Sequence, residues 1–411
     1  MRHLRRNEGL AVEQPNSEPR RPIDPKQSEL LLDLLRCLAA TLVLIYHERI
    51  LFFARYSDLR SPSLGIKALY FVTGLGPPAV ILFFVLSGYL VVGSVVRARR
   101  AGVWSIASYL NQRITRLLVP LLPALLLCWL LDAVGLRLNP HSFYYVELWT
   151  DTGWSQVAAR HGLATFLQNL LFLQGVTGPI FGSDGPLWSL AYEFWYYIFL
   201  VPVFVISISR RPRTIILSSI FLLAAMFFVG PRICEYGLIW LLGAATVFAV
   251  RIPLRLSKHA ALGLLGGSIL LMLLTLSAIR FKSIHSDFVG DFLLGATCAL
   301  FVWSAARQNE TVSPTLLTVA AKNYAGWTYS LYLLHMPVLV FIASLCVRSS
   351  RWFPDALHLA MAGGILVAVL LYAYAISLCT ERRTGAVRTW IAARLNLGRR
   401  SPKNPLPSSV A

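Results

Sequence analysis

The chain has 411 residues, of which 56% are hydrophobic and 14% charged, and its formal net charge is +19. A soluble domain has about 45–50% apolar and roughly 25% charged residues, so this composition excludes a soluble globular enzyme, a disordered chain and a coiled coil. It does not mark a nucleic-acid binder either, because such a protein gathers its basic residues on one wettable face, whereas here they sit in short clusters between long apolar runs. What remains is an all-α integral membrane protein.

Residues 1–29 are rich in Arg, Pro, Glu and Ser and have no apolar stretch near the start. They read as a disordered cytosolic leader, not a cleavable signal peptide. A spanning helix needs about 20 mostly apolar residues. Runs of that kind lie at 30–53, 74–96, 117–138, 186–208, 214–230, 233–250, 260–279, 288–305, 324–347 and 357–379. The spacing therefore predicts about ten transmembrane helices in a membrane domain over 30–379, followed by a basic cytosolic tail over 380–411. The stretch 163–174 is too short to cross and is expected to be a re-entrant or interfacial helix.

Ten spans put both termini on one side. That side holds 26 of the 38 Lys and Arg residues, the other holds 11, and Arg36 lies inside the first span. The positive-inside rule then places both termini in the cytoplasm. Most of the net charge is thereby assigned to topology and anionic lipid rather than to a ligand. The six cysteines form no CxxC pair and nearly all fall in apolar runs. They read as small apolar fillers, with neither a disulfide framework nor a metal site expected.

Ionisable groups inside a span are costly and mark functional sites by default. The first span carries Asp33, Arg36 and His47. Asp33 and Arg36 can pair at i, i+3. Arg36 and His47, eleven residues apart, share one helix face and stand about 16 Å apart along the axis. Alternatively, Arg36 snorkels with Asp33 as its balance. Ser87-Gly88 in the second span suggests close helix packing. Arg113 and Arg116 share a face just before the third span, where they can grip a phosphate or anchor the helix in the cytoplasm. Glu193 lies two turns into the fourth span, at a depth where it and His47 can meet as an acid–base pair. Tyr332 and His335 share a face in the ninth span, next to Pro337, and such a polar stripe usually faces a cavity.

Five blocks, in order, resemble the polytopic acyltransferase-3 family: Asp33-x-x-Arg36 followed after ten residues by His47, FFVLSGY at 83–89, Arg113-x-x-Arg116, PLWSLAYE at 186–193, and YSLYLLHMP at 329–337. The resemblance implies a membrane O-acyltransferase that takes an acyl group, usually acetyl, from cytosolic acyl-CoA. The acceptor would be a hydroxyl of a sugar in a cell-surface or exported glycan or glycolipid. It implies His47 as general base or transient acyl carrier, and Glu193 as a group that orients or balances His47. Arg36, Arg113 and Arg116 would hold the CoA phosphates, and Asp33, Ser87, Trp188, Ser189, Tyr332 and His335 would line or shape the cavity, with no metal.

It also implies a multi-pass protein of the bacterial inner membrane. The expected partners are the bilayer and a carbohydrate or glycolipid acceptor, with a glycan-assembly complex as an open further partner and no nucleic acid. The chain ends about 30 residues after the last span, as in stand-alone family members without an extracytoplasmic domain. A transporter of a small anion or glycolipid is the competing reading, but transporters often show internal repeats, and the two halves here show none. A scaffold with a vestigial site would not keep all five blocks.

Overall fold

The computed structural model describes residues 26–146, 156–254, 256–280, 287–308, 315–347 and 350–397. Most of the expected leader and the end of the tail lie outside these residues. In chain order the helices are α1 (Gln27–Phe52), α2 (Leu64–Val72), α3 (Gly76–Arg100), α4 (Ile106–Leu138), α5 (Phe143–Val146), α6 (Leu163–Leu170) and α7 (Leu187–Ile208). There follow α8 (Pro212–Val229), α9 (Pro231–Ala249), α10 (Lys258–Arg280), α11 (Asp287–Ala306), α12 (Leu316–Ala325), α13 (Thr328–Cys346), α14 (Ala356–Cys379) and α15 (Thr384–Arg394). Among the described residues there are no strands, only two isolated bridges.

Each of the ten expected spans falls on a long helix, and the all-α multi-pass architecture holds. By length and composition, nine of the helical runs among the described residues can cross a membrane. α1 is not one of those nine. Its 26 residues are long enough, but five of them are charged. The stretch expected as a short helix becomes α6, about two turns long, which packs against α4.

The layers follow from helix chemistry. α8 and α10 are apolar all round and only 11% of the apolar window of each is buried, the mark of helices whose outer surface meets hydrocarbon rather than protein. The most apolar stretches of α3 and α13 are 61% buried and form the centre. α1 packs against both α3 and α13, and α3 packs against α9 and α11. The α1 positions Leu32, Leu35, Ala39, Val43 and Leu44 are buried at helical spacing, so a stripe of α1 is fixed toward the centre.

Ser87-Gly88 does mark a close approach. A Cβ on Gly88 would overlap the carbonyl of Trp240, and one on Gly243 would overlap the carbonyl of Val85. α3 and α9 thus touch backbone to backbone at two glycines, a packing device of membrane helices.

Some boundaries differ from the hydropathy reading. α4 begins at Ile106, eleven residues before the expected span, because the segment SYLNQRITR is helical although polar. Ser105 starts it by accepting a hydrogen bond from the Ser108 amide at 3.1 Å. Arg113 and Arg116 therefore share a face, as expected, within a helix of 33 residues, about 50 Å long, that runs on into the span. α12 and α15 were not expected. α12 is a separate ten-residue helix capped by a reciprocal Thr315–Thr318 box, and α13 starts only after Gly326. α15 lies within the expected tail and docks on α4, where Asn111 Nδ2 donates to the Arg388 carbonyl at 3.1 Å.

Candidate active site

His47 and His335 meet across α1 and α13. His335 Nε2 lies 3.0 Å from His47 Nδ1, and the ring centroids are 5.0 Å apart. Each Nδ1 also faces the carbonyl one turn back on its own helix: His47 faces Val43 at 2.9 Å and His335 faces Leu331 at 3.1 Å. His335 is buried and His47 half-buried.

Next to this pair lies a cavity with about 820 Å³ of empty space, its mouth included. α1 contributes Arg36 to its wall, α3 Val80, Phe83, Phe84 and Ser87, α4 Arg113 and Arg116, α7 Ser189, Glu193 and Tyr197, and α13 Thr328, Tyr329 and Tyr332. The two histidines do not line it. They sit behind Tyr332, whose ring is 5.9 Å from that of His335 and 6.3 Å from that of Phe83. The Tyr332 hydroxyl is held on α7, 2.6 Å from Ser189 Oγ and 3.0 Å from the Pro186 carbonyl. Tyr332 therefore stands between the cavity and the imidazoles.

Three arginines from two helices gather in the cavity wall. Arg36 donates to the Ala325 carbonyl at 3.2 Å and pairs with Asp33 at 3.5 Å, as its spacing predicts. Arg113 donates to Ser94 Oγ at 2.5 Å and lies over the rings of Tyr109 and Tyr197. Arg116 is exposed and lines the cavity, close enough to Arg36 and Arg113 for their charges to interact. Clustered guanidinium groups suit a polyanionic ligand, each offering donors in a planar fork.

Glu193 does not pair with His47. Its Oε1 accepts from Ser87 Oγ at 3.0 Å and from the Tyr197 hydroxyl, and Trp240 Nε1 donates to the same serine at 3.2 Å. The depth of Glu193 along α7 was legible in the sequence, but its direction around the helix was not, and it faces α3 and Arg116.

Of the residues expected to line or shape the cavity, Ser87, Ser189 and Tyr332 line it. Trp188 instead packs edge-on against Phe84, Tyr192 and Tyr236, and Asp33 serves Arg36. Two polar partners were missed. Tyr197 stands one turn after Glu193, at the i, i+4 spacing that brings side chains together on a helix. Glu381 accepts from the Ser330 amide at 2.8 Å and from its hydroxyl at 2.9 Å. It thus caps the first turn of α13 beside Arg36 and Arg116. Nothing local in TERR distinguishes it from a solvated acid.

A second buried polar cluster adjoins the start of α7. Asp132 on α4 accepts from the Ser183 amide at 2.8 Å and its hydroxyl at 2.7 Å. Asp184 is wholly buried, and neither of its carboxyl oxygens has a hydrogen-bond partner among the described residues. Burial, with Asp132 nearby, pushes its carboxyl well above the usual carboxylate range. Burial also lowers the Arg160 guanidinium to about 10.

A family model described as "Acyltransferase domain" (Acyl_transf_3) matches residues 30–379. Neither curated proteins nor solved structures gave a match to the chain. With five motif blocks converging on one cavity in a multi-pass bundle, and the model covering most of its length, the chain belongs to the acyltransferase-3 family.

Proposed function

We propose that this membrane acyltransferase moves an acetyl group from acyl-CoA to a hydroxyl of a sugar in a cell-surface or exported glycan or glycolipid, in the bacterial inner membrane with both termini in the cytoplasm. The observation that carries this reading is the polarity of the site: one cavity gathers Arg36, Arg113 and Arg116, and an imidazole pair stands just behind Tyr332. CoA is a cytosolic polyanion, so its phosphates suit the arginines, two of which come from the segment whose charge points to the cytoplasm. The pantetheine arm is thin and mostly uncharged and suits the wall of Phe83, Leu190 and Tyr332.

The chemistry assigned to this chain is a proton transfer and a choice of position. His47 takes the acceptor hydroxyl proton as the oxygen attacks the thioester carbonyl. The carbon–sulfur bond breaks, and the same proton passes to the departing sulfur, leaving an ester and CoA thiol. For the acetyl group to reach His47, the Tyr332–Ser189 contact has to open or the acceptor has to enter from the His47 side.

Membranes containing the protein, given [¹⁴C]acetyl-CoA, are expected to place label covalently on a glycan or glycolipid. His47→Ala is expected to abolish that label while inserting at the wild-type level. Full labelling by His47→Ala, or solute export without labelling by the wild type, would overturn the assignment.

A further inference from the structure

The tautomers of the two histidines follow from hydrogen-bond chemistry. A carbonyl oxygen can only accept, so His335 Nδ1, 3.1 Å from the Leu331 carbonyl, carries the ring proton. In a neutral ring its Nε2 is then a bare acceptor. His47 Nδ1 faces two acceptors, this Nε2 at 3.0 Å and the Val43 carbonyl at 2.9 Å, so it too carries its proton. Among the neutral combinations, only this one places a proton in all three contacts, the single Nδ1–H of His47 being shared between two acceptors in a three-centre bond. His47 Nε2 is left with a free lone pair. It has no hydrogen bond among the described residues and is not a buried orphan atom.

We infer that His335 is a positioning residue that locks His47 in the tautomer protonated on Nδ1 and so makes Nε2 the nitrogen that receives the acceptor's proton. The inference rests on the acyl-transfer reading above. The Val43 carbonyl favours the same tautomer but does not fix the ring relative to α13. It lies on the helix that carries His47, so it constrains the ring only locally, whereas His335 comes from α13 and ties the ring to a second helix. When Nε2 takes the proton, His47 becomes an imidazolium whose Nδ1–H still points at a neutral acceptor. The charge that appears during transfer is thus met by a lone pair already in place, with no buried anion required. The step balances: the hydroxyl proton goes to Nε2, the new carbon–oxygen bond replaces the carbon–sulfur bond, and the proton leaves on the thiol.

Two polar substitutions test this without emptying the site. His335→Gln puts an amide oxygen near the place of Nε2 and keeps an acceptor for His47. His335→Asn reaches only as far as Nδ1 and cannot contact His47. With [¹⁴C]acetyl-CoA and membranes carrying their native acceptor, His335→Gln is expected to keep kcat within about threefold, and His335→Asn to lose on the order of tenfold or more. KM for acetyl-CoA is expected to stay unchanged in both, since the arginines are intact. Equal kcat values for the Gln and Asn variants, or a loss carried by KM, would overturn the positioning role. The underlying reading fails by a different result, full transfer by His47→Gln, whatever the substitutions at position 335 do.

Discussion

Arg113 and Arg116 stand one turn apart on α4 and are held in opposite ways. Arg113 is buried, donates to Ser94 and lies between two tyrosine rings. Arg116 is exposed to the cavity and makes no hydrogen bond or ion pair among the described residues. Arg116→Ala is therefore expected to leave the unfolding temperature in detergent nearly unchanged. It should weaken acetyl-CoA binding about ten- to a hundredfold, the worth of a hydrogen bond to a charged group. Arg113→Ala is expected to lower both, with a stability loss of about 1–3 kcal/mol, and Arg113→Lys is not expected to restore the ring contacts. Calorimetric titration beside a thermal melt separates the two. If Arg116→Ala melts as early as Arg113→Ala, Arg116 is a structural anchor and not a ligand group.

Gly88 and Gly243 make the backbone contact between α3 and α9, and a side chain at either would have to displace a carbonyl. Gly88→Val is expected to cost at least about 3 kcal/mol, which in practice removes the monodisperse species from size-exclusion chromatography. Gly263 in α10 is the control, since a Cβ there meets nothing within 4 Å among the described residues. Gly263→Ala should be neutral or stabilise by about 0.5–1 kcal/mol through lost chain entropy. A well-behaved Gly88→Val variant would show that the two helices do not touch as described.

The sequence made the long helices legible because hydropathy is a property of a single segment. It also located the small pair at Gly88, since crowding between membrane helices demands residues without side chains. What it could not supply was direction around a helix. Glu193 and His47 were placed at similar depth, but depth fixes only the position along an axis, and Glu193 turned out to face Ser87 and Tyr197. The same limit hid the His47–His335 contact, because it joins residues 288 positions apart. Glu381 and α15 escaped for another reason. Both lie in a charged stretch that resembles a solvated tail, and only tertiary contacts with Ser330 and Asn111 reveal their structural role.

Glu193→Gln tests whether this carboxylate acts on His47 or on the arginines. Ser87 and Tyr197 both donate to one oxygen, Oε1, and an amide oxygen accepts them as well. Stability is therefore expected to change by less than about 1 kcal/mol. The substitution removes one negative charge from the wall facing Arg116, so binding of the CoA polyanion should tighten, most visibly at low ionic strength. The acid limb of the pH–rate profile should stay where it is, because no hydrogen bond links Glu193 to His47. A shifted acid limb would return Glu193 to the role of orienting the base.

Asp184 predicts a pH dependence of stability with a definite sign. Its carboxyl is buried without a hydrogen bond among the described residues and is held well above the usual range, chiefly by burial and further by Asp132. The folded protein thus keeps this proton at pH values where the unfolded chain, titrating near the ordinary value of 3.8, has already lost it. With an acid whose folded pKa is raised, stability is full below the unfolded value and falls as pH rises toward the folded one. Asp184→Asn replaces the carboxyl with a group of similar shape that cannot ionise. Its melting temperature is expected to match the wild type near pH 4 and to exceed it increasingly as pH rises through neutrality. Parallel melting curves for the two proteins from pH 4 to 8, or a variant that melts lower at pH 8, would mean that Asp184 is ionised in the fold and is balanced by a cation.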